Sequence, residues 1–387
     1  MMRQALAAAL CLPLIPCACS PADETTGPAA TSAEPGAVHA NSPATPESPI
    51  AGAEPADHLI EPDERHFAHL WQVTRGGENA EGYWSFAGDR LSFQRRAGEI
   101  ECDRIFVTDP RGGPFVQVSS GRGVCTCSYF MPGDREVIFA STQGVMERCP
   151  PPPDRSQGYT WTLYPEYELW VRHIASGEER RITDSPGYDA EATVSPRGER
   201  IVFTSLRSGD PELWTCALDG SDLVQVTDEE GYDGGAFFSH DGRWLVFRST
   251  MFAPDGQRGD RAGYRELLAR HQIRPMALEL FLVRPDGSER RQLTRLGHAN
   301  FAPFFFPDDA RVIFSSNHHD PTTRERAGNF DLFAIGVDGE GLERVTTYDG
   351  FDSFPMFSPD GRHLAFASNR GGTAEGETNL FVAEWRP

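Results

Sequence analysis

Beyond about Leu70 the chain is a succession of short apolar runs, each broken by Gly, Asp or Pro. Three stretches show the pattern in register: Thr193-Val-Ser-Pro-Arg-Gly-Glu-Arg-Ile-Val-Phe-Thr-Ser205, Phe237-Phe-Ser-His-Asp-Gly-Arg-Trp-Leu-Val-Phe-Arg-Ser249 and Met356-Phe-Ser-Pro-Asp-Gly-Arg-His-Leu-Ala-Phe-Ala-Ser368. In each, a short strand enters a Ser-Pro-Asp-Gly-type turn, whose Pro presets φ and whose Gly accepts φ > 0. A buried strand such as residues 201–204 follows. After a variable loop comes a third strand, as in Glu212-Leu-Trp-Thr-Cys216 or Asp331-Leu-Phe-Ala-Ile335. Asp-Gly pairs (Asp219-Gly220, Asp286-Gly287, Asp338-Gly339) then turn it tightly into a fourth.

Weaker copies centre on Trp84-Ser-Phe-Ala-Gly-Asp89, Tyr129-Phe-Met-Pro-Gly-Asp134 and Phe305-Phe-Pro-Asp-Asp309. About six copies with a period of very roughly 45–60 residues fall in the range of propeller blades. The last copy ends at Leu380-Phe-Val-Ala-Glu-Trp385 without a fourth strand, and Leu70-Trp-Gln-Val-Thr74, ahead of the first copy, has that missing pattern. The expected fold is therefore all-β: a six-bladed β-propeller of four-stranded antiparallel blades, closed by an N-terminal strand that completes the last blade.

These repeats, with their Ser-Pro-Asp-Gly-Arg turns and the Ser368-Asn-Arg370 that ends the last buried strand, resemble the TolB-like propeller family, also described as PD40 or WD40-like repeats. The resemblance covers about Leu70 to Trp385. It implies the fold strongly and the function weakly, because the same repeat serves as scaffold, as receptor and as the lid domain of serine peptidases. The family's namesake carries an α/β domain ahead of its propeller. Here that place reads as a tether, so a role in a Tol–Pal system does not follow from the likeness.

Composition changes the picture at the N-terminus. Arg3 and the apolar stretch from Ala5 to Ile15 form a signal-peptide pattern too short to span a bilayer. It ends in Leu14-Ile-Pro-Cys-Ala-Cys19, which resembles a bacterial lipobox. Cys19, after the small Ala18, is favoured over Cys17 as the lipidated residue, with plain cleavage and a soluble periplasmic product as the alternative. Residues 20–63, rich in Pro, Ala, Glu, Ser and Thr, read as a disordered tether, and residues 64–387 as the propeller. The expected location is periplasm-facing and lipid-anchored, with the outer membrane favoured because neither cysteine precedes an Asp. The membrane is engaged through that anchor alone. The formal charge of −21, with Arg as the sole strong base, excludes nucleic acid as the expected partner.

Candidate chemistry gathers on one face. The long insertions, residues 142–166, 251–278 and 317–329 with a smaller one at 369–378, all follow second strands. Asn79, Cys125, Asp189, Asp233, Asn300 and Asp352 align where the inner strands begin. They are expected to ring the channel mouth, as a possible ligand or divalent-cation site through oxygen ligands, or else to cap their own turns. Loop residues Tyr159, Trp161 and Tyr164, together with His298, His318, His319 and Asp320, mark a binding face, the histidines being alternative metal ligands. Residues 261–272 read as a short helix with Leu267 and Leu268 facing in. Cys102, Cys125, Cys127 and Cys149 map to that face, and one or two disulfides among them are expected in an oxidising compartment, with the pairing open. Cys216 reads as a buried thiol. No Gly-x-Ser-x-Gly elbow occurs, and no second catalytic domain is expected. The expected function is a non-catalytic envelope lipoprotein that binds a protein or envelope polymer. Metal-dependent catalysis, as hydrolase or lyase, and a structural role in a larger complex are the alternatives.

Overall fold

The computed structural model describes residues 46–151, 158–252, 260–320 and 328–387. The expected signal sequence, Cys17 and Cys19 lie outside the described residues. Six antiparallel blades of four strands each make up the propeller, and the last blade carries a fifth, two-residue strand at its edge.

The repeated residues each perform one local task. The turn serines accept the backbone N–H five residues on: Ser85 from Arg90 at 3.1 Å, Ser195 from Arg200 at 3.0 Å, Ser239 from Trp244 at 2.9 Å and Ser358 from His363 at 3.0 Å. A hydroxyl residue after each fourth strand clasps the third, Ser119 in blade one, which accepts the Ile105 N–H at 3.1 Å, and a threonine in the others. Thr183, Thr227, Thr294 and Thr346 accept the N–H of Leu169, Leu213, Leu280 and Leu332 at 2.8–2.9 Å. In the last blade the same bond runs from Leu380 N–H to Thr74 Oγ1, 2.8 Å, across almost the whole chain. The N-terminal strand Phe67–Gln72 pairs with Asn379–Trp385 in antiparallel register, Leu70 opposite Ala383 and Trp71 opposite Val382. The ring is closed as the repeat pattern predicts.

In five of the six blades one recurrent bond near the start of the inner strand joins it to the blade before. The N–H of Asn79, Cys125, Asp189, Asp233 and Asp352 donates to the carbonyl just before the third strand of the preceding blade, at 2.8–3.1 Å. The apolar core lies between blades, where residues such as Trp84, Phe203, Phe247, Phe314 and Phe366 are fully buried.

The described part of the expected tether departs from that expectation. Ile50 and Ala56 are buried, Glu54–Pro55 pairs with the N-terminal strand, and Asp57 accepts the N–H of Leu70 at 2.8 Å. Glu64, 2% exposed, reaches Arg370, which also binds Asp352 at 2.8 Å. Residues 46–63 are therefore part of the folded unit. The reason is electrostatic as much as apolar: Arg370 is fully buried, pairs with both carboxylates, and also donates from Nη1 to the Leu59 carbonyl at 3.2 Å. Burial disfavours its charge, but Asp352 and Glu64 more than offset this and hold its pKa above the ordinary guanidinium value. The helix in the blade-four insertion spans Arg261–Leu268, shorter than the expected segment, and is capped by Asp260. Its buried residue is Tyr264 rather than the leucine pair.

Removing Arg370 strands two buried carboxyl groups without their counter-charge. Arg370→Ala is expected to lower the unfolding free energy by about 3–5 kcal/mol, measured by guanidinium chloride denaturation. An effect below about 1 kcal/mol would show that the triad contributes no more than a surface pair.

Candidate functional site

Every inner strand contains a bulge. The register slips between Ala80 and Tyr83, Thr126 and Ser128, Ala190 and Thr193, Gly234 and Phe237, Phe301 and Phe304, and Ser353 and Met356. Within each bulge one residue has positive φ: Glu81, Cys127, Glu191, Gly235, Ala302 and Phe354, with values of 48–59°. A left-handed residue in a bulge re-aims its side chain. All six line a central cavity of about 1990 Å³.

The expected channel-mouth ring sits two positions earlier, and the structure corrects it. Asn79, Cys125, Asp189, Asp233, Asn300 and Asp352 are all fully buried and are not among the cavity-lining residues. Asn79 Nδ2 donates to the Gly76 and Thr378 carbonyls at 3.1 and 2.7 Å, and Asn300 Nδ2 to those of Leu278 and Gly297 at 2.9 Å. Asp189 pairs with Arg207 at 2.9 Å, Asp352 with Arg370, and Asp233 lies 3.7 Å from Arg290. Cys125 donates weakly to Ser141 Oγ at 3.5 Å. These side chains fasten loops and blades rather than facing a common ligand.

The polar centre of the cavity is built around Arg248, which comes from the second strand of blade four. Its guanidinium crosses Gly235, where a Cβ would lie 2.0 Å from Nη1, and pairs with Glu191. Glu191 also accepts from Tyr232 OH at 2.6 Å, Thr204 Oγ1 at 2.8 Å and Gly235 N–H at 3.0 Å. The guanidinium carbon stands 4.9 Å from the Trp161 ring centre and 5.2 Å from that of Tyr232. Beside this pair lies Glu81, which meets the Cys127 thiol. Burial raises its pKa to about 7, with a further upward push from Glu191, against Cys127 and Arg248. Burial also pushes the Cys127 thiol well above its usual value, helped by Glu81 and Glu191.

The insertions form a cover that separate readings of each loop did not reveal. Trp161–Thr162 of the blade-two insertion pairs antiparallel with Gln272–Ile273 of the blade-four insertion, and Leu163 N–H donates to His271 O at 2.8 Å. The cover thus bridges blades two and four. Tyr159, Trp161 and Tyr164 all line the cavity, as does His298. His318 and His319 turn away from it onto Phe333, at 4.5 and 5.4 Å between ring centres, and His319 reaches Asp331 at 2.8 Å. Burial, with His319 and His298 nearby, lowers the His318 pKa to about 4. Asp320 accepts the Asn329 N–H at 2.6 Å. Among the described residues no three His, Cys, Asp or Glu side chains gather as a metal site. Of the four cysteines on this face, Cys102 and Cys149 form one disulfide, while Cys125 and Cys127 are thiols; Cys216 is a buried thiol.

No family model matches the chain. A TolB homolog of Chlorobium luteolum is 30% identical over 131 residues, covering 25% of this chain and 30% of that protein. The Tol-Pal system protein TolB of Francisella tularensis is 26% identical over 104 residues, covering 27% and 22%. Among solved structures, that of a putative TolB from Agrobacterium tumefaciens superposes with a TM-score of 0.52 at 18% identity, over 80% of this chain and 91% of that one. The propeller is TolB-like. The chain spans less than a third of the length of the curated TolB relatives it matches, so the TolB likeness describes the repeat and its ring.

Two outcomes follow from the bulge geometry. Gly235→Ala sets a methyl group against Arg248 and forces Ala to a φ of 58°, costing about 1–2 kcal/mol. The expected result is a lower unfolding midpoint and altered Trp161 emission as the guanidinium leaves its ring; unchanged emission and midpoint would contradict the packing. For Glu81 the folded pKa exceeds the unfolded one, so the native state binds the proton more tightly. Its contribution is present below about pH 4.5 and is lost as pH rises through about 7. The groups facing it are Cys127, Glu191, Arg248, Asp103 and Tyr83. Glu81→Gln is expected to flatten the decline in urea midpoint between pH 5 and 8, and an unaltered slope would show that Glu81 titrates normally.

Proposed function

We propose that this protein is a non-catalytic cell-envelope propeller that binds a protein or envelope polymer through its loop-lined mouth. Export by the N-terminal signal and lipid attachment at Cys19 (or Cys17), with the outer membrane favoured, place that mouth in the periplasm. The observation that carries the reading is the cavity itself. It measures about 1990 Å³ and is walled by Tyr83, Trp161, Tyr188, Phe301 and Phe354 among others. A strand pair contributed by two insertions lies at its mouth. Aromatic walls with a few convergent polar groups suit recognition of an inserted segment. The Cys102–Cys149 bridge, which fixes two loops of this face, suits an oxidising compartment. The matched relatives named for the Tol-Pal system support an envelope setting.

The test is a crosslinked partner search from intact envelopes with the wild type and with a variant whose residues 159–164 are replaced by a Gly-Ser linker. The variant is expected to keep its far-UV spectrum and membrane association and to lose the wild-type crosslinked species. Retention of those species by the folded variant would remove the mouth as the binding surface.

A further inference from the structure

The central cavity contains a worked internal example of cation recognition and, beside it, a second carboxyl group without such a cation. Arg248 shows what the cavity can hold: a guanidinium against the Trp161 and Tyr232 rings, paired with Glu191 and bonded to the Tyr232 hydroxyl at 2.6 Å. Charge, ring faces and phenol oxygen all contribute to holding a desolvated cation. Glu81 occupies the same bulge position on blade one that Glu191 occupies on blade three, with φ of 56° and 59°. Both therefore project into the same space, and the thiol-bearing bulge of blade two lies between them in the ring.

The two carboxyl groups differ in what they meet. Glu191 receives hydrogen bonds from Arg248, Tyr232, Thr204 and the Gly235 amide. Glu81 meets the Cys127 thiol, a weak donor that leaves most of a carboxylate's acceptor capacity unused. The nearby aromatic surface is already assembled. Tyr83 leans on Phe237 at 5.3 Å between ring centres, and both line the cavity. Among the described residues that line the cavity, six carboxyl groups stand with three guanidinium groups, of which Arg96 pairs with Glu78 and Arg248 with Glu191.

We infer that Glu81 is the receptor for a basic side chain, the ammonium of lysine or the guanidinium of arginine, on an extended peptide segment of the partner that enters the mouth. This inference rests on the reading that the loop-lined mouth is a recognition surface, and it names the chemistry recognised there. The occupant reproduces on the blade-one side what Arg248 does on the blade-three side: it neutralises an axial carboxylate while its stem lies against aromatic rings. Gln94 and the Cys127 backbone, which accepts no role in the pairing but is fixed by Gln94 Oε1 at 3.2 Å, hold the bulge in place.

The experiment selects a random heptapeptide phage library on the full-length exported protein and, in parallel, on Glu81→Gln. Selected sequences are then made as synthetic peptides with each basic residue replaced by norleucine. The expected result is enrichment of Lys or Arg at one fixed position. Norleucine there weakens binding by about tenfold or more, and Glu81→Gln weakens the parent peptide equally but not the norleucine peptide. Should Glu81→Gln fail to fold, the norleucine comparison on the wild type carries the same test. Enriched peptides without a basic position, or equal binding by folded Glu81→Gln, overturn this inference while leaving the mouth as a recognition surface. Failure of the library to enrich at all overturns the inference as well, and the loop replacement then decides the wider reading independently.

Discussion

The structure depends on one hydrogen bond that recurs from blade to blade. At the start of an inner strand, a backbone N–H reaches the carbonyl that precedes the third strand of the blade before it. That bond fixes how close successive blades come where the inner strands begin. It also settles the fate of the side chain on the same residue, which is enclosed between two blades and must find its partners there. Asn79 and Asn300 find carbonyls, and Asp189 and Asp352 find arginines. Because the strand is anchored at that point, the bulge that follows is forced toward the axis. The residue in the left-handed conformation then becomes the lining of the cavity.

Much of the fold was legible in sequence because it is local and repeated. The turn serines, the hydroxyl residues after the fourth strands and the Asp-Gly hairpins each satisfy a bond within their own blade, and so they reappear at the same spacing. Thr74 was recognisable as a fourth-strand residue for that reason, and closure of the ring followed from it. The Cys102–Cys149 pair was legible as a candidate among several, since its loops lie on adjacent blades.

The axial residues were not legible, and the reason is geometrical. A strand of period two predicts which side chains face one way, and one bulge breaks that alternation. The aligned Asp and Asn positions were conspicuous by type, whereas Glu81, Cys127, Glu191, Gly235, Ala302 and Phe354 share a backbone conformation and no chemistry. The close approach of Arg248 to Gly235 leaves a trace in sequence, a Gly-Gly pair opposite an arginine. That trace has meaning only once the register is known. The paired strands at Trp161 and Ile273 were hidden for another reason, since a two-residue ladder between distant insertions has no periodicity. Residues 46–63 were misplaced because composition counts apolar residues and takes no account of a buried arginine that donates to the Leu59 carbonyl.

The seam in the last blade has a mechanical meaning. A pull from the N-terminal side first meets the buried side chain of Ile50 and then a two-residue pairing, Glu54–Gln72 and Pro55–Trp71. The load then passes to Asp57 and to the Glu64–Arg370 contact, before it reaches the six-residue strand whose rungs are stressed together along their length. The folded unit thus meets traction from its N-terminal side with a graded series of yield points, and the ring stays intact until the last of them gives way.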